Sequence, residues 1–166
     1  MKENKMKKPI KIHDFLPLIL LFVCIITLTT IHQWYAGYSL QGTMSDFMAF
    51  FFLIFGFFKI LNWHGFAQAY AEYDILAQQS KVYAYAYPLI ELALGTLYFL
   101  RLYPTATNLI TLVVMLISGI GVAHELLQKK QIVCACLGVV FKIPMTYVTL
   151  LEDLLMAGMA LYMLLM

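Results

Sequence analysis

The sequence is poor in charge. Of 166 residues, 11 are Lys or Arg and 9 are Asp or Glu, 12% of the chain. A soluble domain carries about 25%, so a soluble enzyme is excluded. The apolar share of 63% excludes an intrinsically disordered chain. Three cysteines are too few for a fold stapled by disulfides. There is no phosphate-binding glycine loop, internal repeat, low-complexity tract or basic nucleic-acid patch. No nucleic-acid partner is expected. The apolar runs do not alternate as the strands of a membrane barrel would.

What the chain has instead is long apolar runs and a mean hydropathy of +0.82. The runs cover 15–35, 47–61, 82–100, 106–127 and 145–166. A spanning helix needs about 20 apolar residues; the second run is near the lower limit. Lipid offers nothing to satisfy a backbone amide or carbonyl, so the runs should be helices. The expected fold is all-α, a polytopic membrane bundle of about five transmembrane helices. A basic tail, 1–14, precedes a single membrane domain, 15–166. The first run is too long for a signal-peptide core and ends in Gln33-Trp34-Tyr35 rather than a small-residue cleavage site. It reads as a retained helix.

Basic residues set the orientation. Lys2, Lys5, Lys7, Lys8 and Lys11 precede the first run, and the next connection has none. Lys81 follows the second run, Arg101 the third, and Lys129, Lys130 and Lys142 the fourth. Alternate sides carry nine against one, which places the N-terminus in the cytoplasm and the C-terminus outside a bacterial inner membrane. Between the second and third runs, Phe66, Tyr70 and Tyr73 recur at helical spacing, with Gln68, Glu72 and Asp74 off the stripe. The stripe reads as a short helix in the interface with its aromatics at headgroup level, or, the preferred reading for its energetics, as an ordinary amphipathic linker.

Charged side chains within a span cost roughly 2.5–3.5 kcal/mol on insertion scales. Lys59, Glu91, His124, Glu125, Glu152 and Asp153 therefore stand out. All fall in the cytoplasmic half or near the midplane, which suggests a polar cluster between helices. Lys59 is the one cation within the runs; it pairs with Glu91, Glu152 or Asp153, or snorkels to the interface. Glu125 also reads as a solvated helix end. Glu91, a carboxylate that cannot snorkel far, calls for a buried partner. Glu152 and Asp153 point about 100° apart on a helix, so one faces the bundle and the other a neighbour.

Cys134-Ala135-Cys136-Leu137-Gly138 precedes the last run. Two thiols one residue apart suit a soft metal ion such as Cu(I) or Hg(II), or thiol–disulfide exchange. A disulfide closed over so small a ring is strained, as labile and catalytic pairs are. Nearby lysines favour the thiolate. The alternative is a pair of apolar, buried thiols, and that is the reading for Cys24 in the first run. A zinc site is not expected, since no C-x2-C is present.

Gly56-x-x-Lys59, Gly65-Phe66, Tyr73-Asp74, Pro88-x-x-Glu91-x-x-x-Gly95 and Cys134-x-Cys136-x-Gly138 followed by Pro144 resemble the MauE branch of the DoxX-like membrane proteins. The resemblance covers about 47–166. It implies a compact core of four helices plus one, and a redox-associated role. MauE itself is associated with processing, transport or maturation of the disulfide-rich small subunit of methylamine dehydrogenase. The resemblance makes Cys134 and Cys136 the redox pair and matches Lys59 and Glu91 to the family's polar positions. A thioredoxin-like or glutaredoxin-like partner then joins the lipid bilayer as a partner, with no cofactor. Two other readings stay open: a soft-metal transporter in which Cys134 and Cys136 capture the ion, and a structural assembly factor. The lysine pattern places the thiols on the cytoplasmic face, so with a role on exported proteins either reducing equivalents cross the membrane, or the thiols bind a transported ion, or the orientation is inverted.

Overall fold

The computed structural model describes residues 16–72, 74–127 and 147–166. Among them the chain forms α1 (Leu16–Ala36), α2 (Leu40–Leu61), α3 (Trp63–Tyr70), α4 (Ile75–Gln79), α5 (Lys81–Phe99), α6 (Pro104–Leu127) and α7 (Tyr147–Leu165), with no strand among the described residues. The fold is all-helical, as the apolar runs predict. α1, α2 and the Pro104–His124 part of α6 are long and apolar enough to cross a membrane. α5 and α7, 19 residues each, carry the buried carboxylates that interrupt their apolar character.

Four of the runs match their helices to within two residues at each end. The second does not: its helix starts at Leu40 rather than at 47. Gly37, at φ +89°, ends α1 in a left-handed turn that glycine adopts without strain. The Ser39 hydroxyl then accepts from the Gly42 amide at 3.0 Å and caps α2. The polar first turns of α2 break the apolar run without breaking the helix, because Asp46 has partners on α1.

α2 lies along α5 and α6 along α7; α1 rests on α2, while α3 and α4 lie on α5. Two glycines let α2 and α5 approach. A Cβ on Gly95 would stand 2.9 Å from Leu53 Cγ and 3.0 Å from its backbone nitrogen. One on Gly56 would stand 3.0 Å from Leu92 Cδ2. Small residues at a membrane helix interface exchange side-chain volume for dispersion contact between backbones. Gly56 precedes Lys59 by three residues and Gly95 follows Glu91 by four, so the same close approach brings those two side chains level.

The main core holds Met48, Phe52, Phe55, Leu94, Tyr98 and Met156. The outer face of α1 exposes Ile19, Leu20, Val23 and Ile26, as a lipid-facing helix does. Cys24 is exposed there too. The connection between α2 and α5 departs from the expected linker. Phe66 and Tyr70 are both 1% exposed and pack with Tyr87 and Val122 in a second apolar cluster. They are core residues rather than headgroup anchors; Tyr73 lies outside the described residues. Asp74 is buried and accepts from the Leu76 and Ala77 amides, capping α4, and from the Tyr70 hydroxyl at 2.9 Å. A helical stripe of aromatics looks alike whether it meets lipid or protein, so periodicity alone does not separate the two.

Candidate functional site

Lys59 comes from the last turn of α2 and Glu91 from the middle of α5. The Lys59 ammonium donates to Glu91 Oε1 in an ion pair whose side chains are 7% and 2% exposed. Tyr87 sits one turn before Glu91, on the same face of α5. The ammonium lies 4.9 Å from the Tyr87 ring centroid and 5.5 Å from that of Phe66. The negative faces of those rings favour a desolvated cation. Phe66 stacks on Tyr70 and Tyr87, which pack against each other at a tilt, with centroids 4.4 to 6.0 Å apart. The segment after α2 thus closes an aromatic cover over the ion pair.

Glu152 and Asp153 approach the same place from α7. Together with Ser118 of α6 they line a cavity of about 30 Å³ that Lys59 and Glu91 also line. That volume holds one or two waters. Glu91 Oε2, Glu152 Oε1 and Asp153 Oδ2 are buried with no hydrogen-bond partner among the described residues. One ammonium therefore faces three carboxyl groups in a nearly dry space. Protons, water or a cation must offset the excess, because an unpaired carboxylate in such surroundings is costly. Glu152 also borders an apolar groove of about 360 Å³ between α1 and α7.

Of the six polar residues expected to cluster, four meet: Lys59, Glu91, Glu152 and Asp153. His124 is not among the residues lining the cavity; it is exposed in the last turn of α6. It follows Ser118 by six residues, about 240° around the helix, so the two cannot share a face. The Glu125 side chain, and Cys134 and Cys136, lie outside the described residues. Among the described residues no group of three or more His, Cys, Asp or Glu is arranged to hold a metal ion.

The opposite end of the bundle holds a second polar centre that the sequence reading passed over. Asp46 is fully buried in α2. Its Oδ2 meets His32 Nδ1 at 2.8 Å and accepts from the Gln33 carboxamide, both on α1. Arg101 Nη2 stands 3.6 Å from Asp46 Oδ1. The His32 ring packs against Phe50 and Phe99. Asp46 went unnoticed because it sits at the margin of an apolar run, where a carboxylate reads as a loop residue. A signal was present in Ser39-x-x-Gly42, which starts the helix well before Asp46.

The family model described as methylamine utilisation protein MauE matches residues 37–166. The chain belongs to the MauE family. No curated protein and no solved structure matches it. The MauE match starts just before α2, leaving α1 and the basic tail outside, and contains the whole Lys59–Glu91 cluster. It bears out the resemblance read from the sequence motifs, and together with the apolar helices it makes the chain a multi-pass membrane protein. The structure also supplies a physical reason for two of those motifs. In Gly56-x-x-Lys59 and Glu91-x-x-x-Gly95 the glycine brings the helices together and the charged residue forms the ion pair.

Proposed function

We propose that this MauE-family protein is a redox-associated protein of the bacterial inner membrane that supports maturation of a partner protein. Five helices, α1, α2, α5, α6 and α7, cross the bilayer, with the N-terminus in the cytoplasm and the C-terminus outside. Cys134 and Cys136 are the reacting pair. The observation that carries the reading is the Lys59–Glu91 ion pair facing Glu152 and Asp153 across a water-sized cavity. Such groups within a span are expensive, and where they occur they mark proton or charge pathways. Asp153 sits six residues into α7, the helix that follows the cysteine pair.

The exchange is balanced within the two proteins. The Cys134 thiolate attacks one sulfur of the partner's disulfide, and the partner's other sulfur leaves as a thiolate. Cys136 then attacks the Cys134 sulfur and frees the partner's first sulfur. The partner gains two electrons and the two protons given up by Cys134 and Cys136. The buried carboxyl groups hold such protons between the steps. Membership of the MauE family is consistent with methylamine utilisation as the setting.

The test uses Cys136→Ser and Cys134→Ser in cells. Under this reading one of them accumulates a reductant-sensitive covalent complex with a partner, and the double Ser variant loses maturation of that partner. Loss of soft-metal binding in either variant with no trapped partner supports metal capture instead. Full activity of the double variant removes both chemical readings and leaves an assembly factor. The orientation has its own test: impermeant thiol labelling of intact cells should reach a cysteine placed at Ser39 and fail at Lys129, and the reverse pattern would refute it.

A further inference from the structure

The end of the bundle that carries Asp46 also holds a pocket of about 200 Å³, lined among others by Ser39, Gln41, Arg101, Thr107 and Asn108. We propose that this pocket binds a phosphate group, with Arg101 and Asn108 as its principal donors.

Two side chains are committed to the pocket. Asn108 is 2% exposed, and its carboxamide oxygen accepts from the Tyr98 hydroxyl at 2.7 Å. With the oxygen engaged in this way, its NH2, two donors, has no partner among the described residues. Arg101 is tethered through Nη2 alone, at 3.6 Å from buried Asp46, so the rest of its five-donor fork is free to serve the pocket. Asp46 acts as a positioning residue and does not itself line the pocket. Gly42 makes room for the Ser39 cap at the pocket, since a Cβ there would stand 2.5 Å from Ser39 Oγ.

The backbone carries Arg101 at a conformational cost. The Leu102 amide bonds to the Leu97 carbonyl at 3.0 Å and the Arg101 amide to the Tyr98 carbonyl at 3.1 Å. This is the paired helix-ending motif in which the residue after the cap is left-handed and usually glycine. Here that residue is arginine, at φ +54°. Helix stopping alone would be served better by glycine. The first turns of α2 and α6 both open on the same pocket, and helix N-termini favour anions.

The choice of phosphate follows from the depth of the site. Trp34, Tyr35, Tyr38 and Tyr103, each at least 69% exposed, belong to the same end of the bundle. Aromatics so placed sit at headgroup level, where lipid phosphates are concentrated. The phosphate is that of a lipid headgroup or of a free ion, and the experiment separates the two.

The full chain is purified in detergent as wild type, Arg101→Gly and Gln41→Glu. Arg101→Gly removes the donor and its contact with Asp46 while relieving the left-handed backbone, so the two effects oppose each other and the variant should stay folded, which its unfolding temperature checks. Gln41→Glu keeps Arg101 and its tether and puts a negative charge in the pocket. One arm measures retention of phosphatidylglycerol by native mass spectrometry; the other measures the thermal shift produced by inorganic phosphate. A lipid headgroup site predicts retention that falls about tenfold or more in both variants, since a charged hydrogen bond is lost or opposed. A free-ion site predicts a phosphate-dependent shift that both variants abolish. Lipid retention equal in all three proteins, with no phosphate shift in wild type, would overturn the proposal.

Discussion

The two ends of this bundle solve the problem of a buried carboxylate in opposite ways. Around Asp46 one carboxylate is matched by His32, Gln33 and Arg101, and the neighbouring pocket is open. Around Lys59 one ammonium is shared by three carboxyl groups in a cavity seven-fold smaller, roofed by aromatic rings. The first arrangement gives its single carboxylate a cation and two hydrogen-bonding groups from the protein, with Asp46 Oδ1 reached only by Arg101 at 3.6 Å. The second leaves three carboxylate oxygens without protein partners among the described residues and so must use protons, water or a cation. A matched site holds structure; an unmatched one can change its protonation or its occupant. The excess of carboxyl groups is why the proposed proton-holding role falls on the Lys59 end.

The comparison can be broken by substitution. The largest effect is expected from Glu91→Leu, which removes the hydrogen-bonded partner of buried Lys59 and should cost about 3–5 kcal/mol. The double variant Lys59→Leu with Glu91→Leu should recover much of that loss, because it removes both charges. Unfolding of the detergent-purified proteins measures both, and a double variant no better than the single would show that the pair is not coupled. Next comes Gly95→Val, whose branched side chain meets Leu53 and forces α2 from α5 at a cost of about 1–3 kcal/mol. It should also lengthen the Lys59–Glu91 contact, so its effect and that of Lys59→Leu should be less than additive.

Asp46→Leu tests the matched end. It leaves the 1%-exposed Gln33 carboxamide without its acceptor, at about 1–3 kcal/mol. Asp46→Asn, which keeps an acceptor oxygen, should lose less than Asp46→Leu; equal losses would mean that charge, not hydrogen bonding, holds this end. The smallest effects are expected at Glu72 and Cys24, both exposed. Glu72→Leu and Cys24→Ala should stay within about 0.5 kcal/mol of wild type in the same unfolding assay. A large loss at Glu72 would place a further carboxylate among the structural ones.

Lys59 and Glu91 were legible in the chain because a charge inside an apolar run has few explanations. Asp46 was not, although it is more deeply buried than Lys59. A charge at the edge of a run is read as the end of the run, and only the capping contact at Ser39 shows that the helix continues outward. Phe66 and Tyr70 were visible as a helical stripe, but the stripe carries no information on whether its face meets lipid or Tyr87. His124 does not line the cavity, because six residues of helix turn it off the Ser118 face.

By itself the sequence determined the class of protein, the extent of four of the five long helices and the family. These depend on apolar run length and on short motifs, which are local properties of the chain. Only the tertiary structure decided which charges meet. That depends on how closely two helices approach, here through Gly56 and Gly95, and on which face of each helix is turned inward. It brought Lys59 to Glu91 across 32 residues of chain and Arg101, just past the end of α5, to Asp46 at the other end of α2. It also folded the segment after α2 over the ion pair, because a desolvated ammonium is stabilised by aromatic faces only when they pack directly against it.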